Sequence, residues 1–504
     1  MMLDATFLLR LYANIRLTQL AREDPAATQA RQLLGLVRRA QATRFGQDHG
    51  FARIRSVADY QARVPLRRYG DLWEGYWKAG YPVLDDVTWP GRIPYFAFTS
   101  GTTSGSAKYI PVSRDMVAAN KRAALDALVH HIAAHPASHV LGGKSFILGG
   151  STDLVQEAPG VLRGDLSGIA AKEVPRWARP YSSPPVELAL EADWEAKIDR
   201  LARLAAAQDI RSLSGTPSWV LVFLERVARL AGRPPAEIFP RLELYIHGGI
   251  GFAPYRDRFR TVLPQAATRE VYPASEGFVA VSDRAPGRGM RLLLDNGLFF
   301  EFVPVAELDG PSPTRHWIGT AEAGVDYALV LTSCAGLWSY VLGDVVRLVE
   351  TRPPRLLVVG RTAHMLNVFG EHLSGEQIED AVVAAADGQA VLEYTVGARF
   401  PGGGTRGHHV FVIETRYLPP DFAQRLDRAL CAGSLDYAER RAAGIGLDTP
   451  RVIPVPPGFF TAWMKRRGKL GGQHKVPRVV GEEELERLLQ PEAPRHAQPG
   501  RDHI

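Results

Sequence analysis

Apolar residues in this chain recur at three- and four-residue spacing in some stretches and form short continuous runs in others. Leu33, Leu34, Leu36 and Val37 share one helical face, and residues 1–73 read as mainly helical, with Phe45 and Phe51 marking a turn. Phe7-Leu8-Leu9, interrupted by Arg10, reads as an amphipathic first helix and not as a signal peptide. A long helix is expected over residues 116–135, stopped by Pro136, which lacks the amide hydrogen a helix interior needs. Residues 194–208 and 219–230 carry the same period. The run at 140–150 reads as a buried strand and those at 242–248, 292–302 and 327–332 as strands, the first two ending in glycines.

Strand and helix alternate up to Arg361, which predicts a large α/β domain with β-sheets and packed helices. Beyond it the texture changes. A helix at 374–386, strands at 391–397 and 410–414, a helix at 422–441 and a strand at 452–455 predict a smaller α+β domain. The boundary is placed at Ala363, giving domains over 1–362 and 363–490. Residues 491–504, with Pro491, Pro494 and Pro499, read as a disordered tail.

The chemistry concentrates in Phe98-Thr-Ser-Gly-Thr-Thr-Ser-Gly-Ser-Ala-Lys-Tyr-Ile-Pro111. Five hydroxyls surround Gly101 and Gly105, Lys108 closes the run, and a helix is expected from Arg114. Glycines let several amides face one anion, hydroxyls add donors, and a lysine adds a movable charge. Ser106 and Ala107 separate Gly105 from Lys108, so this is not a Walker A loop. The residues alone leave two readings, a phosphate cradle or a solvated turn. Gly248, Gly249 and Gly251 follow a strand, where ligands of α/β sheets sit. His130, His131, His135 and His139 invite a metal reading, but Pro136 breaks their spacing and no carboxylate falls among them.

Bulk properties narrow the class. The 504 residues carry a formal charge of +6 without any long Lys/Arg block, so a nucleic-acid partner is not expected. No window approaches the roughly 18 apolar residues of a membrane helix. Two distant cysteines, Cys334 and Cys431, fit a reducing, cytoplasmic setting. Lysine is absent from 201 to 464, then Lys465, Lys469 and Lys475 appear together. A chain that otherwise uses arginine retains lysine where a compact, flexible ammonium matters.

The cradle, Tyr272-Pro-Ala-Ser-Glu-Gly, Tyr340-Val-Leu-Gly-Asp344 and Gly360-Arg361 occur in an order that resembles the adenylate-forming superfamily of acyl-CoA synthetases and luciferases. Ile246-His-Gly-Gly, Gly336-Leu-Trp-Ser-Tyr, Val368-Phe-Gly-Glu, Asp436-Tyr and Gly468-Lys-Leu-Gly-Gly-Gln-His-Lys-Val-Pro-Arg478 sharpen the likeness. They resemble the Gretchen Hagen (auxin-responsive) acyl-acid amido synthetase family, particularly its bacterial members, over residues 95–478.

The resemblance implies a large adenylate-forming domain, a small mobile C-terminal domain, and ATP with Mg²⁺ as cofactors. A carboxylic acid would attack the α-phosphate of ATP, and an amine, an amino acid in the plant members, would then displace AMP. Thr99, Ser100, Gly101, Thr102 and Thr103 would hold phosphates with Lys108 nearby, and Gly248 and Gly249 would border the nucleotide. Tyr272 would stack on adenine beside Ala274 and Ser275. Asp344 and Arg361 would meet the ribose. Glu276 would carry Mg²⁺, and Lys475 would be the catalytic lysine, with Lys469 its rival. His247, Phe252 and Phe278 flank these blocks, either as packing or as walls of an acyl pocket that matches no transferable motif. A thioester-forming ligase using CoA, or a silent nucleotide-binding scaffold, remain the alternatives.

Overall fold

The computed structural model describes residues 3–99, 108–149, 154–189, 194–285, 287–361, 373, 375–399, 407–434, 437–438, 441, 447–467 and 476–489. The N-terminal part opens with helices α1 (Thr6–Ala21) and α2 (Pro25–Ala40). Asp24 caps α2 by accepting from the Ala27 amide, and Pro25 enters at the first turn, where no amide hydrogen is needed. The long helix α3 (Arg114–Ala134) starts where Ser113 accepts from the Met116 amide and stops just before Pro136. Helices α4 (Trp194–Ala206) and α5 (Pro217–Ala231) follow; Gly232, with φ of +67°, takes the left-handed conformation that ends α5.

Strands fall into three sheets among the described residues. A small one joins β1 (Tyr95–Thr99), β2 (Lys108–Val112), β4 (Val155–Ala158) and β5 (Val161–Gly164) in the order β2-β1-β5-β4. The large sheet holds β3 (Lys144–Ile147), β6 (Ser182–Ser183), β7 (Ile210–Ser214), β8 (Leu244–Gly248), β9 (Ala267–Ala274), β10 (Gly277–Val281) and β11 (Met290–Leu292). It continues through β12 (Leu298–Pro304), β13 (His316–Trp317), β14 (Asp326–Ser333), β15 (Tyr340–Thr351) and β16 (Pro354–Arg361). Its order is β13-β12-β14-β15-β16-β11-β10-β9-β8-β7-β3-β6. Strands β3, β7, β8 and β9 run parallel, and the remainder from β9 to β13 is antiparallel.

Helix α3 covers one face, where Ala123 and Ala127 meet Val271, Val281 and Leu293. Helices α4 and α5 cover the other, where Leu201, Val220 and Leu224 meet Phe146, Leu213 and Tyr245. Each buried Val, Leu or Phe among them contributes roughly 1.5–3 kcal/mol, so covering both faces secures the parallel strands. The Gly336–Tyr340 block serves this core: Trp338 donates to the Thr88 carbonyl, and Ser339 reaches Glu301 and Tyr60.

The C-terminal part has its own sheet. Strands β17 (Val391–Arg399), β18 (His408–Thr415), β19 (Arg451–Val455) and β20 (Val479–Val480) lie in the order β19-β18-β17-β20. Alternation on β18 explains its two-sided packing. Phe411 and Ile413 meet α6 (Gly375–Ala386) and α7 (Phe422–Gly433), while Val410 and Val412 meet α8 (Phe459–Arg466) and α9 (Glu482–Leu489).

The α/β-then-α+β reading therefore holds, and two expectations need correction. The helix expected over 422–441 ends at Gly433, because Ser434 is extended. The first helix also carries apolar residues on its exposed side, among them Phe7, Leu8 and Leu11, instead of a purely polar one. Ala363 and the 491–504 tail lie outside the described residues.

Candidate active site

The parallel strands end together. Strand β8 pairs with β9 so that Gly248 sits opposite Val271, one residue before Tyr272. A side chain on Gly248 would place its Cβ 2.3 Å from the Val271 carbonyl oxygen, so only glycine lets the two strand ends approach. Gly249 then turns with φ of +86°. On the far side, β9 folds into β10 through Ser275 and Glu276, with Ala274 paired to Gly277. Ser275 and Glu276 are both buried in this tight turn. A buried carboxylate oxygen is the donor type that a hard cation such as Mg²⁺ selects, so Glu276 fits the metal-holding role that its motif implies.

Asp344 reaches this place from β15. Between Val341 and Val345, three residues oppose the single Leu329 of β14, and Gly343 adopts φ of +91°. Such a bulge re-aims the next side chain. The Asp344 carboxylate accepts a hydrogen bond from the Tyr272 hydroxyl, and both residues are buried. Arg361 is the register partner of Asp344 on β16, which brings the backbone of Gly360-Arg361 alongside. Tyr272, Ala274, Ser275, Glu276, Gly248, Gly249, Asp344 and Arg361 thus share one end of the sheet.

Thr99 and Lys108 lie on the small sheet. Thr99 ends β1 opposite Lys108 at the start of β2. The Lys108 ammonium lies 5.8 Å from the Tyr69 ring centre, next to Trp73 and Tyr109. Ser100, Gly101, Thr102, Thr103, Lys469 and Lys475 lie outside the described residues, as do the Val368–Glu371 and Asp436 blocks.

His247 and Phe252 stack at 3.7 Å between ring centres, beside Tyr245. Burial, with Arg256 nearby, pushes the imidazole down to about 3, so it is neutral. Phe278 packs on the α3 side of the sheet, so these three residues do not form one wall. His130 and His131 are core residues, each pushed down to about 4 by burial. His131 stacks on His135 at 4.7 Å and meets the Ser138 hydroxyl at 3.0 Å.

A second constellation joins the two parts of the chain. The Arg478 guanidinium pairs with Glu393 of β17, lies 4.3 Å from the centre of the Tyr394 ring, and donates to the Tyr255 hydroxyl at 3.4 Å. Tyr255 closes the turn that follows Gly248-Gly249. Glu379 of α6 faces the same cluster and lies over Gly251, whose Cβ would stand 2.2 Å from its carboxylate. Burial pushes the Glu379 carboxyl up to about 7, Arg478 opposes the rise, and Asp380, Glu270 and Glu393 reinforce it. Sequence reasoning missed this cluster. Arg478 ends the Gly468–Arg478 block, but Glu379 in a helical Glu-Gln-Ile-Glu-Asp run carries the signature of a solvated face.

Glycine and Tyr-Pro-Ala-Ser-Glu turns at the strand ends, with an aspartate aimed at them and a small α+β sheet against them, are set in a fold that solved acyl-acid ligases share. A solved structure of 2-hydroxyisobutyryl-CoA ligase in the postadenylation state with 2-HIB-AMP has a TM-score of 0.60 at 16% identity, covering 92% of this chain and 91% of that one. The acyl acid amido synthetase GH3.15, solved with 2,4-DB, reaches 0.78 at 17% identity over 95% of each chain.

The chain belongs to the GH3 family: residues 15–197 match its N-terminal domain, 291–361 its central domain and 376–484 its C-terminal domain. The indole-3-acetic acid-amido synthetase GH3.8 of Oryza sativa subsp. indica is 28% identical over 271 residues, 49% of this chain and 42% of the relative. The chain spans about half the length of the first such curated relatives. No helix among the described residues is long and apolar enough to cross a membrane.

Proposed function

We propose that this protein is an ATP-dependent acyl-acid ligase that joins a carboxylic acid to an amine. A carboxylate oxygen attacks the α-phosphate of ATP and expels pyrophosphate. The amine nitrogen then attacks the acyl carbon of the acyl adenylate, loses a proton, and AMP leaves as the amide forms. A bare carboxylate is a poor acyl donor, and the AMP leaving group removes that obstacle. The observation that carries the reading is the meeting of Tyr272 and Asp344 beside Gly248-Gly249, a ring for the adenine and an acceptor for the ribose at one strand end.

In this reading Ser100, Gly101, Thr102 and Thr103, with Thr99 and Lys108 flanking, take the outer phosphates. Ala274 and Ser275 line the adenine site, and Arg361 joins Asp344 at the ribose. Glu276 holds Mg²⁺, which supplies charge neutralisation at the phosphates when bound. Lys475 meets the attacking carboxylate and the α-phosphate, where positive charge stabilises the transition state. Arg478, later in the same block, meets both parts of the chain: its carbonyl accepts from the Val396 amide at 2.9 Å and its side chain donates to the Tyr255 hydroxyl at 3.4 Å.

The domains divide near residue 363, and rotation there lets Lys475 leave once the adenylate has formed. The amine is an amino acid, in keeping with relatives named as indole-3-acetic acid-amido synthetases and jasmonoyl-L-amino acid synthetases. Free Cys334 and Cys431 support work in the cytoplasm.

Exchange of labelled pyrophosphate into ATP, screened over a panel of carboxylic acids, tests the first half-reaction. Exchange that depends on one acid supports the ligase; silence with every acid overturns it in favour of a nucleotide-binding scaffold. Product mass with amino acids against CoA then separates amide from thioester formation.

A further inference from the structure

Helix α1 turns its apolar residues the wrong way for a monomer. Leu3 is 72% exposed just before it, and Phe7, Leu8, Leu11 and Ile15 are 52, 55, 60 and 61% exposed along it. Phe7, Leu11 and Ile15 are spaced four apart, so they stack into one stripe, with Leu8 beside them. The opposite side is already satisfied: Leu9 and Ala13 pack on Val129 and Ile132 of α3 and on Leu244 of β8. Nothing in the intramolecular core therefore explains the stripe. Only Ile15 of these five falls within the region matched to the family's N-terminal domain, which starts at residue 15.

Charge narrows what can cover it. The only charged residues of α1, Arg10 and Arg16, are engaged elsewhere. Arg10 donates to the carbonyls of Pro136 and Ser138 at 3.1 and 2.6 Å. Arg16 is held by Asp126 at 2.8 Å and Asp295 at 2.6 Å. The other exposed positions on α1, Asn14, Thr18, Gln19 and Ala21, are uncharged. A charged partner finds no complement here, and an anionic lipid surface finds no row of cations on the helix. A second copy of the same stripe meets no like charge.

Size and symmetry point the same way. Five large side chains at these exposures leave on the order of 500 Å² of apolar surface, near the upper end of the roughly 300–600 Å² found on monomers. Doubled by a two-fold axis and joined by its polar rim, it approaches the roughly 1,200–2,000 Å² of a specific interface. An antiparallel copy related by an axis through Leu11 sets Leu11 on Leu11 and Phe7 against Ile15, a self-complementary pairing.

We propose that α1 is a homodimerisation helix, and that two copies of this chain pair antiparallel through Phe7, Leu8, Leu11 and Ile15. Sedimentation equilibrium on the full chain is expected to give a monomer–dimer equilibrium whose mass approaches twice that of the chain at tens of micromolar. Leu11→Arg places two cations on the axis and is expected to weaken association at least tenfold, with pyrophosphate exchange unchanged. Leu11→Cys is expected to cross-link to itself on mild oxidation, while the parent, whose cysteines are Cys334 and Cys431, does not. A monomer at every concentration overturns the proposal. So does a dimer indifferent to Leu11→Arg, which would place the interface elsewhere. Co-flotation of the parent with phosphatidylcholine–phosphatidylglycerol vesicles, lost in Leu11→Arg, would assign the stripe to a membrane surface and overturn it equally.

Discussion

The Tyr272 hydroxyl donates to the Asp344 carboxylate although three strands separate β9 from β15 in the sheet. The bulge at Gly343 and the close β8–β9 approach at Gly248 make that meeting geometrically feasible. The pair fixes the orientation of the ring proposed to face adenine.

Tyr272→Phe keeps the ring and removes the donor. It is expected to lower stability by about 1 kcal/mol, because a buried carboxylate loses one hydrogen bond. The KM for ATP should rise several-fold while kcat changes less. Asp344→Asn removes the charged acceptor proposed for the ribose, and a larger rise in KM, tenfold or more, is expected. Steady-state exchange kinetics with thermal melts check both. An Asp344→Asn enzyme with unaltered ATP affinity would remove Asp344 from the nucleotide site.

Gly248→Ala tests the strand ends. The added methyl would meet backbone, not a movable side chain, so β8 and β9 must separate. Overpacking of this kind destabilises by roughly 1–3 kcal/mol. ATP-dependent thermal stabilisation should fall more than the melting temperature itself, since the damage is centred on the proposed nucleotide site. Equal loss of both would make Gly248 a purely structural glycine.

The hydrophobic pattern made the succession of an α/β part and an α+β part legible, because the strand runs and the helical stripes other than that of α1 face cores that the structure fills. Residues of the ordered blocks also come together in space: Tyr272, Ser275, Glu276, Gly248 and Asp344 share one sheet end. What stayed hidden depends on long-range contact. Nothing local says that Tyr272 bonds Asp344, or that Glu379, on a helix that reads as solvated, is buried over Gly251 beside Arg478. The early end of α7 at Gly433 was missed because periodicity continues past Ser434, where the backbone extends. Phe7, Leu8 and Leu11 read as one side of an amphipathic helix because the pattern does not say which side meets α3.

The Glu379 carboxyl gives a pH dependence of stated sign. Its carboxyl is raised from 4.5 to about 7 by burial, so the folded chain binds a proton that the unfolded chain has released. Stability associated with this group is present below pH 4.5 and is lost progressively as pH rises from about 4.5 to about 7. The groups facing it are Arg478, Glu393, Asp380 on its own helix, and Glu270 and Tyr255 from the N-terminal part. Glu379→Gln retains a neutral, similarly shaped side chain. The difference in melting temperature between variant and parent is expected to be smallest below pH 4.5, to grow in favour of the variant up to about pH 7, and to level off above it. A difference that is constant with pH would mean that Glu379 is ionised in the folded protein.

Lys475 is the residue on which the proposed chemistry turns. An ammonium placed against charge that develops only during phosphoryl transfer lowers the barrier without tightening ground-state ATP binding. Lys475→Ala is therefore expected to slow acyl-adenylate formation by roughly a hundredfold or more, in line with removal of one electrostatic stabiliser. The dissociation constant for ATP should stay within a few-fold of the parent. Single-turnover formation of the acyl adenylate, read beside equilibrium ATP binding, separates the two effects. Lys469→Ala belongs in the same experiment, since it is the other lysine in the stretch before Arg478. If Lys469→Ala abolishes adenylation and Lys475→Ala does not, the roles are exchanged. If neither slows the step, the cation that serves the α-phosphate lies in the N-terminal part, and Lys108 becomes the residue to change.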